Sequence, residues 1–158
     1  MESKNYLQMM IDSLQMKINI LEEVVKLNEE QTAFATTDTV SEDAFQANME
    51  RKGELIDNLE RLDEGFDSVF KRIEEELNQN KEQYTNEIKQ LKLLITQVTD
   101  LGMKVEAQEA RNKVLIQNKF TQMRQDIQTA KRSTKMANTY YQNMNKLSYE
   151  PQFMDKKK

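Results

Sequence analysis

The amino-acid sequence predicts an all-α fold: an extended antiparallel helical bundle of about three long, coiled-coil-like helices with a C-terminal amphipathic arm. Apolar residues recur in alternating steps of three and four, the spacing of helices that pack nearly parallel to one another. Hydrophobic residues make up 37% of the chain and charged residues 32%, a balance that favours narrow apolar stripes on long helices. The single proline is Pro151, so residues 1–150 contain no proline that would break a helix.

The first helix is predicted over residues 3–35. Six of the seven positions along its contact seam are apolar, and the seam consists of Leu7, Ile11, Leu14, Ile18, Leu21, Val25 and Asn28. The helix should end at residues 35–38, a short run of poor helix formers.

The second helix is predicted over residues 40–78. Its start, Thr39-Val40-Ser41-Glu42, fits a capping box in which Thr39 and Glu42 each satisfy a backbone N–H. The seam is apolar except in its first turns, and consists of Phe45, Asn48, Lys52, Leu55, Leu59, Leu62, Phe66, Val69 and Ile73. Gly65 is a candidate for a kink or a close approach of another helix. A turn is expected at residues 78–80.

The third helix is predicted over residues 81–145. Its seam begins with Tyr84, Ile88, Leu91, Ile95, Val98, Gly102 and Val105, and then becomes polar at Glu109 and Asn112. Two successive steps of four, from Asn112 to Ile116 and on to Phe120, form a stutter that locally unwinds a supercoil. A thinner stripe follows, which we expect to need a partner: Ile116, Phe120, Met123, Ile127, Ala130, Thr134, Ala137 and Tyr141.

The tail, residues 146–158, is predicted to be extended or flexible, because the residue before Pro151 avoids helical angles. The whole chain, residues 1–158, is predicted to form one helical domain. Aromatic and methionine residues cluster near its end: Tyr140, Tyr141, Met144, Leu147, Tyr149, Phe153 and Met154. Two interpretations stay open. These side chains fold back and cap the bundle, or they form an adhesive surface for a partner.

The composition argues against catalysis. The chain has no cysteine and no histidine, which excludes disulfides, thiol chemistry and the commonest metal ligand. Its three glycines are isolated, so no phosphate-binding loop is present, and no calcium-loop pattern occurs. We therefore expect no enzyme activity, no catalytic residues, no cofactor and no metal site. The polar start and the lack of a long apolar run lead us to expect a soluble, intracellular protein.

Charge is distributed unevenly along the chain. Residues 131–158 carry a net charge of +5, whereas the other residues carry −9. A basic tail would suit nucleic acid or anionic lipid, but the body is acidic and the basic residues do not form one dense patch. We therefore expect protein partners, with no nucleic acid and no membrane insertion.

Four short stretches carry a resemblance to a known family. They are Leu62-Asp63-Glu64-Gly65-Phe66, Ala107-Gln108-Glu109-Ala110-Arg111-Asn112, Tyr140-Tyr141-Gln142-Asn143-Met144, and the ending Pro151-Gln152-Phe153-Met154-Asp155-Lys156-Lys157-Lys158, which is the most specific. Together with the size, the acidity and the three-helix plan, they resemble the flagellar export chaperones of the FlgN type from Gram-positive bacteria. FliT-type chaperones share the general plan and are a close rival. A structural coiled-coil tether or adaptor protein is the other alternative.

The resemblance implies a cytoplasmic type III export chaperone. Such a chaperone binds the hook–filament junction (hook-associated) proteins, prevents their premature assembly and delivers them to the flagellar export apparatus. The family holds its substrate on the C-terminal amphipathic helix, which maps by position onto Ile116, Phe120, Met123, Ile127, Ala130, Ala137, Tyr141 and Met144.

The resemblance also implies contacts with the export machinery. A tyrosine in the C-terminal part of these chaperones docks to the export gate, and Tyr140 or Tyr141 is the candidate in this sequence. The expected partners are the junction proteins, the export gate and, as a further candidate, its ATPase complex. The chain itself is expected to be a monomer or a weak homodimer.

Overall fold

The fold consists of three α-helices in a computed structural model that describes the backbone of residues 2–149 and the side chains of residues 3–144. Helix α1 spans Glu2–Thr36, α2 spans Glu42–Gln79 and α3 spans Thr85–Tyr149. No strand occurs in this described range. The all-α prediction is confirmed, and α3 both begins and ends four residues later than its predicted bounds of 81 and 145.

The chain divides into two units, Met1–Ile116 and Gln117–Lys158. The first unit, called the bundle below, contains α1, α2 and the first part of α3. The second, called the C-terminal unit, contains the rest of α3. The end of α3 lies four residues past its predicted end at residue 145, because no helix-breaking residue precedes Pro151. Residues 150–158, including Pro151, Phe153 and Met154, lie outside the described residues.

Hydrogen bonds between side chains define how the helices of the bundle run. The Ser3 hydroxyl donates to a carboxylate oxygen of Glu76, while Gln31 donates to Asn48 over 2.8 Å, so α1 and α2 are antiparallel. Tyr84, which directly precedes α3, donates to the same Glu76 at one end of the bundle, and Gln108 on α3 accepts from Asn28 of α1 near the other end of the bundle. Helix α3 is therefore antiparallel to α2 and parallel to α1, as an antiparallel three-helix arrangement requires.

The α1 seam is confirmed, since all seven of its residues are buried. Helix α1 also buries residues beside this seam, including Met10, Val24 and Phe34, because it packs against both other helices and needs a wider apolar stripe. One core cluster joins the three helices: Leu7, Met10, Ile11, Leu14, Ile18, Ile73, Leu77, Tyr84, Leu91 and Leu94.

Burial along α2 and α3 departs from the predicted seams in two places. The middle of the α2 seam, from Leu59 to Val69, is only half-buried, whereas Leu55 and Ile73 on either side are buried. On α3, Ile95 is 45% exposed and its neighbour Leu94 is 8% exposed. A step of three or of four keeps a residue on one helix face, so the spacing alone could not choose between Leu94 and Ile95.

The first turn also differs from its prediction. Helix α2 begins at Glu42, and its N-cap is Ser41, whose hydroxyl accepts a hydrogen bond from the Ala44 N–H over 3.1 Å. The predicted capping box on Thr39 does not form, because the helix begins two residues later than that box requires. Thr39 instead bonds to Thr37 within the connection.

The second connection covers residues 80–84, whereas the turn was predicted at residues 78–80. Helix α2 ends at Gln79, and the Asn80 N–H donates to the Glu76 carbonyl over 3.0 Å. Helix α2 also continues through Gly65, and a Cβ added there would meet nothing within 4 Å. The predicted close helix approach at Gly65 is therefore wrong.

Candidate functional site

The apolar face predicted for partner binding lies on the helix of the C-terminal unit. We call it the C-terminal stripe and define it by seven residues: Phe120, Met123, Ile127, Ala130, Thr134, Ala137 and Tyr141. Because each residue of an α-helix turns the direction of its side chain by about 100°, these positions share an arc of about 100°. Ile127 is 53% exposed and Tyr141 is 63% exposed, while Met123 is half-buried. Every residue from 124 to 144 is exposed.

Two of the predicted binding residues lie away from the centre of this stripe. Ile116 belongs to the bundle, where it is half-buried. Met144 is 44% exposed and lies at the edge of the arc. The other predicted residues, Phe120 to Tyr141, fall on one face because the steps of three and four continue without a break in the helix.

The stripe is shallow between Ile127 and Tyr141. Ile127 and Tyr141 carry large side chains, whereas Ala130, Thr134 and Ala137 between them are small. The exposed groove at this level is lined in part by Ile127, Ala130 and Thr134. A second helix laid along the stripe can therefore bring its backbone close at the small residues, and needs large side chains to fill the space there.

The two candidate docking tyrosines occupy different faces. Tyr141 lies on the stripe, whereas Tyr140 lies about 100° around the helix from it. Both are exposed, at 61% for Tyr140 and 63% for Tyr141, and their rings meet edge to face with centroids 5.9 Å apart. A partner that covers the stripe would contact the Tyr141 ring and leave much of Tyr140 accessible.

A second unusual feature is a layer of buried polar side chains in the bundle, called the polar layer below. It consists of Asn28 and Gln31 on α1, Asn48 and Lys52 on α2, and Gln108 and Asn112 on α3. Five of the six side chains are buried, and the Lys52 side chain is 13% exposed. Burial of polar groups is costly unless they are hydrogen-bonded.

The polar layer satisfies its own hydrogen bonds. The Lys52 ammonium donates to Asn28 Oδ1 and Gln31 Oε1, both over 3.1 Å, and to Glu109 Oε1 over 2.7 Å. Asn112 donates to the Asn28 carbonyl over 2.9 Å and accepts from Thr32 Oγ1 over 2.6 Å. These bonds join all three helices, so the layer fixes how far each helix is displaced along its neighbours.

The sequence prediction noted most of these residues only as interruptions of the seams. Four residues of the layer, and Glu109 beside it, fall on seam positions that should be apolar. The four are Asn28, Asn48, Lys52 and Asn112. When the three helices are aligned in an antiparallel bundle, these polar seam positions come to the same level. That alignment could have predicted the polar layer from the sequence. Gln31 and Gln108 were missed because they lie beside the seams.

Two carboxylates of the bundle have lowered pKa values. The pKa of Glu76 is lowered mainly by the hydrogen bond from Ser3 and also by the one from Tyr84. The same contact with Glu76 raises the pKa of Tyr84. The hydrogen bond from Arg51 lowers the pKa of Glu23. All these groups link one helix to the next, so their chemistry is that of structural contacts.

Among the described residues, no group of three or more Asp, Glu, His or Cys side chains is placed to hold a metal ion. Nor does the described part of the chain contain a helix of sufficient length and apolarity to cross a membrane. Within the described range, the C-terminal stripe remains as an exposed apolar face of a helix.

No protein-family model, curated protein or solved structure matches this chain. The similarity to FlgN-type chaperones is thus carried only by the short stretches of sequence named above, and the family assignment stays a prediction.

Proposed function

We propose that this chain is a binding protein that holds a helical segment of another protein on its C-terminal stripe. The observation that carries this proposal is the exposure of Ile127, Ala130, Ala137 and Tyr141 on one face of a helix. An apolar face on an exposed helix is typical of a surface that another protein covers. A second amphipathic helix is the partner that such a face fits best.

The more specific proposal is that the chain is a cytoplasmic type III export chaperone. It binds hook–filament junction proteins, keeps them unassembled and delivers them to the flagellar export apparatus. This part rests on the resemblance of the sequence to FlgN-type chaperones, and the position of the stripe agrees with where that family holds its substrate. Full burial of a side chain such as Ile127 contributes about 1.5–3 kcal/mol, so a few such contacts support a stable but reversible complex.

The experiment compares two aspartate substitutions on the same helix. Ile127→Asp places a charge in the stripe, whereas Met136→Asp places one at a 71% exposed apolar residue on the opposite face. Binding of the hook–filament junction proteins from the organism that encodes the chain would be measured calorimetrically. We expect binding by the native chain, a loss of at least about tenfold for Ile127→Asp, and little change for Met136→Asp.

A chain lacking residues 131–158 extends this test, because it loses Thr134, Ala137 and Tyr141 of the stripe and keeps the whole bundle. It should bind the junction proteins weakly or not at all. Unchanged affinity in this truncated chain, or equal losses for the two aspartate variants, would place binding elsewhere and refute the proposal.

The two tyrosines provide a test of delivery as distinct from binding. We propose that Tyr141 contacts the substrate and that Tyr140, on the neighbouring face, docks to the export gate. Tyr141→Ala should then lower the affinity for the junction protein. Tyr140→Ala should leave that affinity nearly unchanged and reduce secretion of the junction protein. If Tyr140→Ala affects affinity and secretion equally, this division is wrong.

A further inference from the structure

One flank of the C-terminal stripe is basic. Arg124, Lys131 and Lys135 all lie about 70–110° from the centre of the stripe on the same side. All three are exposed, and none forms an ion pair with any described residue. Arg124 only donates a hydrogen bond to Thr121 Oγ1, over 3.3 Å. The flank therefore presents positive charge that no acidic group of the described chain neutralises.

The opposite flank does not balance this charge. Asp126 is the single acidic residue in the sequence from 117 to 149, and it lies on the other side of the stripe. Its carboxylate already accepts a hydrogen bond from Gln122 over 3.0 Å. A helix that lies along the stripe would consequently meet a row of three basic residues on one side, and Lys119 with Asp126 on the other.

The basic flank disfavours a second copy of the same stripe as its occupant. If two copies pair in an antiparallel, two-fold symmetric way, each flank faces its own counterpart. Arg124, Lys131 and Lys135 of one copy would then face the same residues of the other copy. Like charges placed in this way destabilise a pair of helices, whereas opposite charges select it.

The small middle of the stripe gives a second requirement. The side chains between Ile127 and Tyr141 on the stripe are small: Ala130, Thr134 and Ala137. Large apolar side chains on the partner are needed to fill the space above them. We infer that the C-terminal stripe is occupied by an amphipathic helix of another protein that has bulky apolar residues along its seam and acidic residues along one flank. This inference rests on the proposed function, because it specifies the partner of the same surface.

The test uses two designed helical peptides of equal length. Both have a leucine seam, and they differ only in carrying glutamate or lysine along the flanks. Binding of each labelled peptide to the full chain would be followed by fluorescence anisotropy at low and high salt. The acidic peptide should bind roughly tenfold more tightly at low salt, because each exposed ion pair adds a modest amount. This preference should shrink at high salt.

Charge reversal provides the matched control. The triple variant R124E, K131E and K135E should reverse the preference, so that the lysine peptide binds more tightly. A second triple variant, K92E, K104E and K113E, changes the net charge equally but alters exposed residues of the bundle. It should keep the preference of the native chain.

Several results would overturn the inference. Equal binding of both peptides would remove the role of charge while leaving helix binding by the stripe intact. A constant dimer that blocks both peptides, seen by light scattering, would assign the stripe to a second copy. Tighter binding to single-stranded DNA or to anionic phosphatidylserine vesicles than to the acidic peptide would assign the basic flank to phosphate groups. If neither peptide binds but a junction protein does, the inference fails alone; if none of them binds, the proposed function fails too.

Discussion

At the residue scale, the clearest contrast in the bundle is between two neighbouring cations. Lys52 is largely buried and donates to two oxygens of the polar layer and to Glu109, whereas the Arg51 side chain is 48% exposed and pairs with Glu23 at the surface. A buried acceptor that loses its donor stays desolvated and without a hydrogen bond, which destabilises the fold. An acceptor at the surface can form a hydrogen bond with water instead. Burial therefore gives two adjacent basic residues different roles.

We predict that Lys52→Met lowers the free energy of unfolding by roughly 1–3 kcal/mol, because it leaves oxygens of Asn28, Gln31 and Glu109 without their donor. Arg51→Met should cost clearly less, since its ion pair is exposed. Urea denaturation of the two variants beside the native chain measures both values. Equal losses would show that the polar layer contributes no more than a surface ion pair.

The lowered pKa of Glu76 predicts how the stability of the fold depends on pH. Its lowered pKa means that the folded state favours the ionised carboxylate, so its contribution to stability is present above the ordinary value of 4.5. That contribution is lost as the pH falls through the lowered value. We predict that Glu76→Gln is less stable than the native chain at pH 7 and that this difference narrows below about pH 4.5.

The measurement is the urea midpoint at pH 7 and at several pH values below 4.5. Glu75→Gln serves as the control, because Glu75 is an exposed neighbour and is not among the partners of Ser3 and Tyr84. A difference between Glu76→Gln and the native chain that stays constant over this range would contradict the prediction.

Residue-scale features were the least predictable from the sequence. The spacing placed Asn28 and Asn112 on seams, but their polarity alone did not indicate that they bond to each other's helices. Pairing depends on how far the helices are displaced along one another, and a single-helix pattern carries no such information. Tyr84 was predicted as a core residue and is 4% exposed, yet its contact with Glu76 also required the tertiary structure.

At the element scale, the sequence prediction and the structure disagree about which residue caps the start of α2. The prediction put the cap on Thr39, and the structure puts it on Ser41. We predict that Ser41→Ala lowers the free energy of unfolding by about 1 kcal/mol, because the Ala44 N–H loses its acceptor. Thr39→Ala should have a smaller effect. The check is thermal or urea unfolding of both variants, and a larger loss for Thr39→Ala would favour the predicted box.

The helices themselves were predictable because their signals are local. A long run without proline, steps of three and four, and polar stretches at residues 35–38 and 78–80 predicted three helices, whose observed bounds lie within four residues of those predicted. The choice between Leu94 and Ile95, and the half-burial of Phe66, were not predictable in this way. Both depend on which face of the helix the neighbouring helices contact. The sequence of α2 or α3 alone does not specify that face.

At the scale of the whole molecule, core and candidate binding surface occupy different units of the chain. Every buried residue in the described range lies between Ser3 and Asn112, and the C-terminal stripe begins at Phe120. Stability and binding should therefore respond to different substitutions. Changes in the polar layer should unfold the bundle, whereas changes at Ile127 or Tyr141 should alter partner affinity with little effect on unfolding.

This separation predicts the behaviour of a shortened chain. A chain that ends at Ile116 keeps all the buried residues of the described structure, including Gln108 and Asn112 of the polar layer. We predict that it unfolds cooperatively in urea with a midpoint close to that of the full chain, because the removed helix contributes few buried contacts. Circular dichroism should show loss of helical signal only in proportion to the residues removed.

A chain that ends at Val105 is the matched control. It removes Gln108 and Asn112, so the Asn28 side chain loses Gln108 as an acceptor and Thr32 loses the acceptor on Asn112. Its midpoint should be clearly lower than that of the chain ending at Ile116, since buried polar groups are then left unpaired. If truncation at Ile116 is as damaging as truncation at Val105, the C-terminal helix stabilises the bundle, and its apolar stripe is then a structural surface instead of a binding surface.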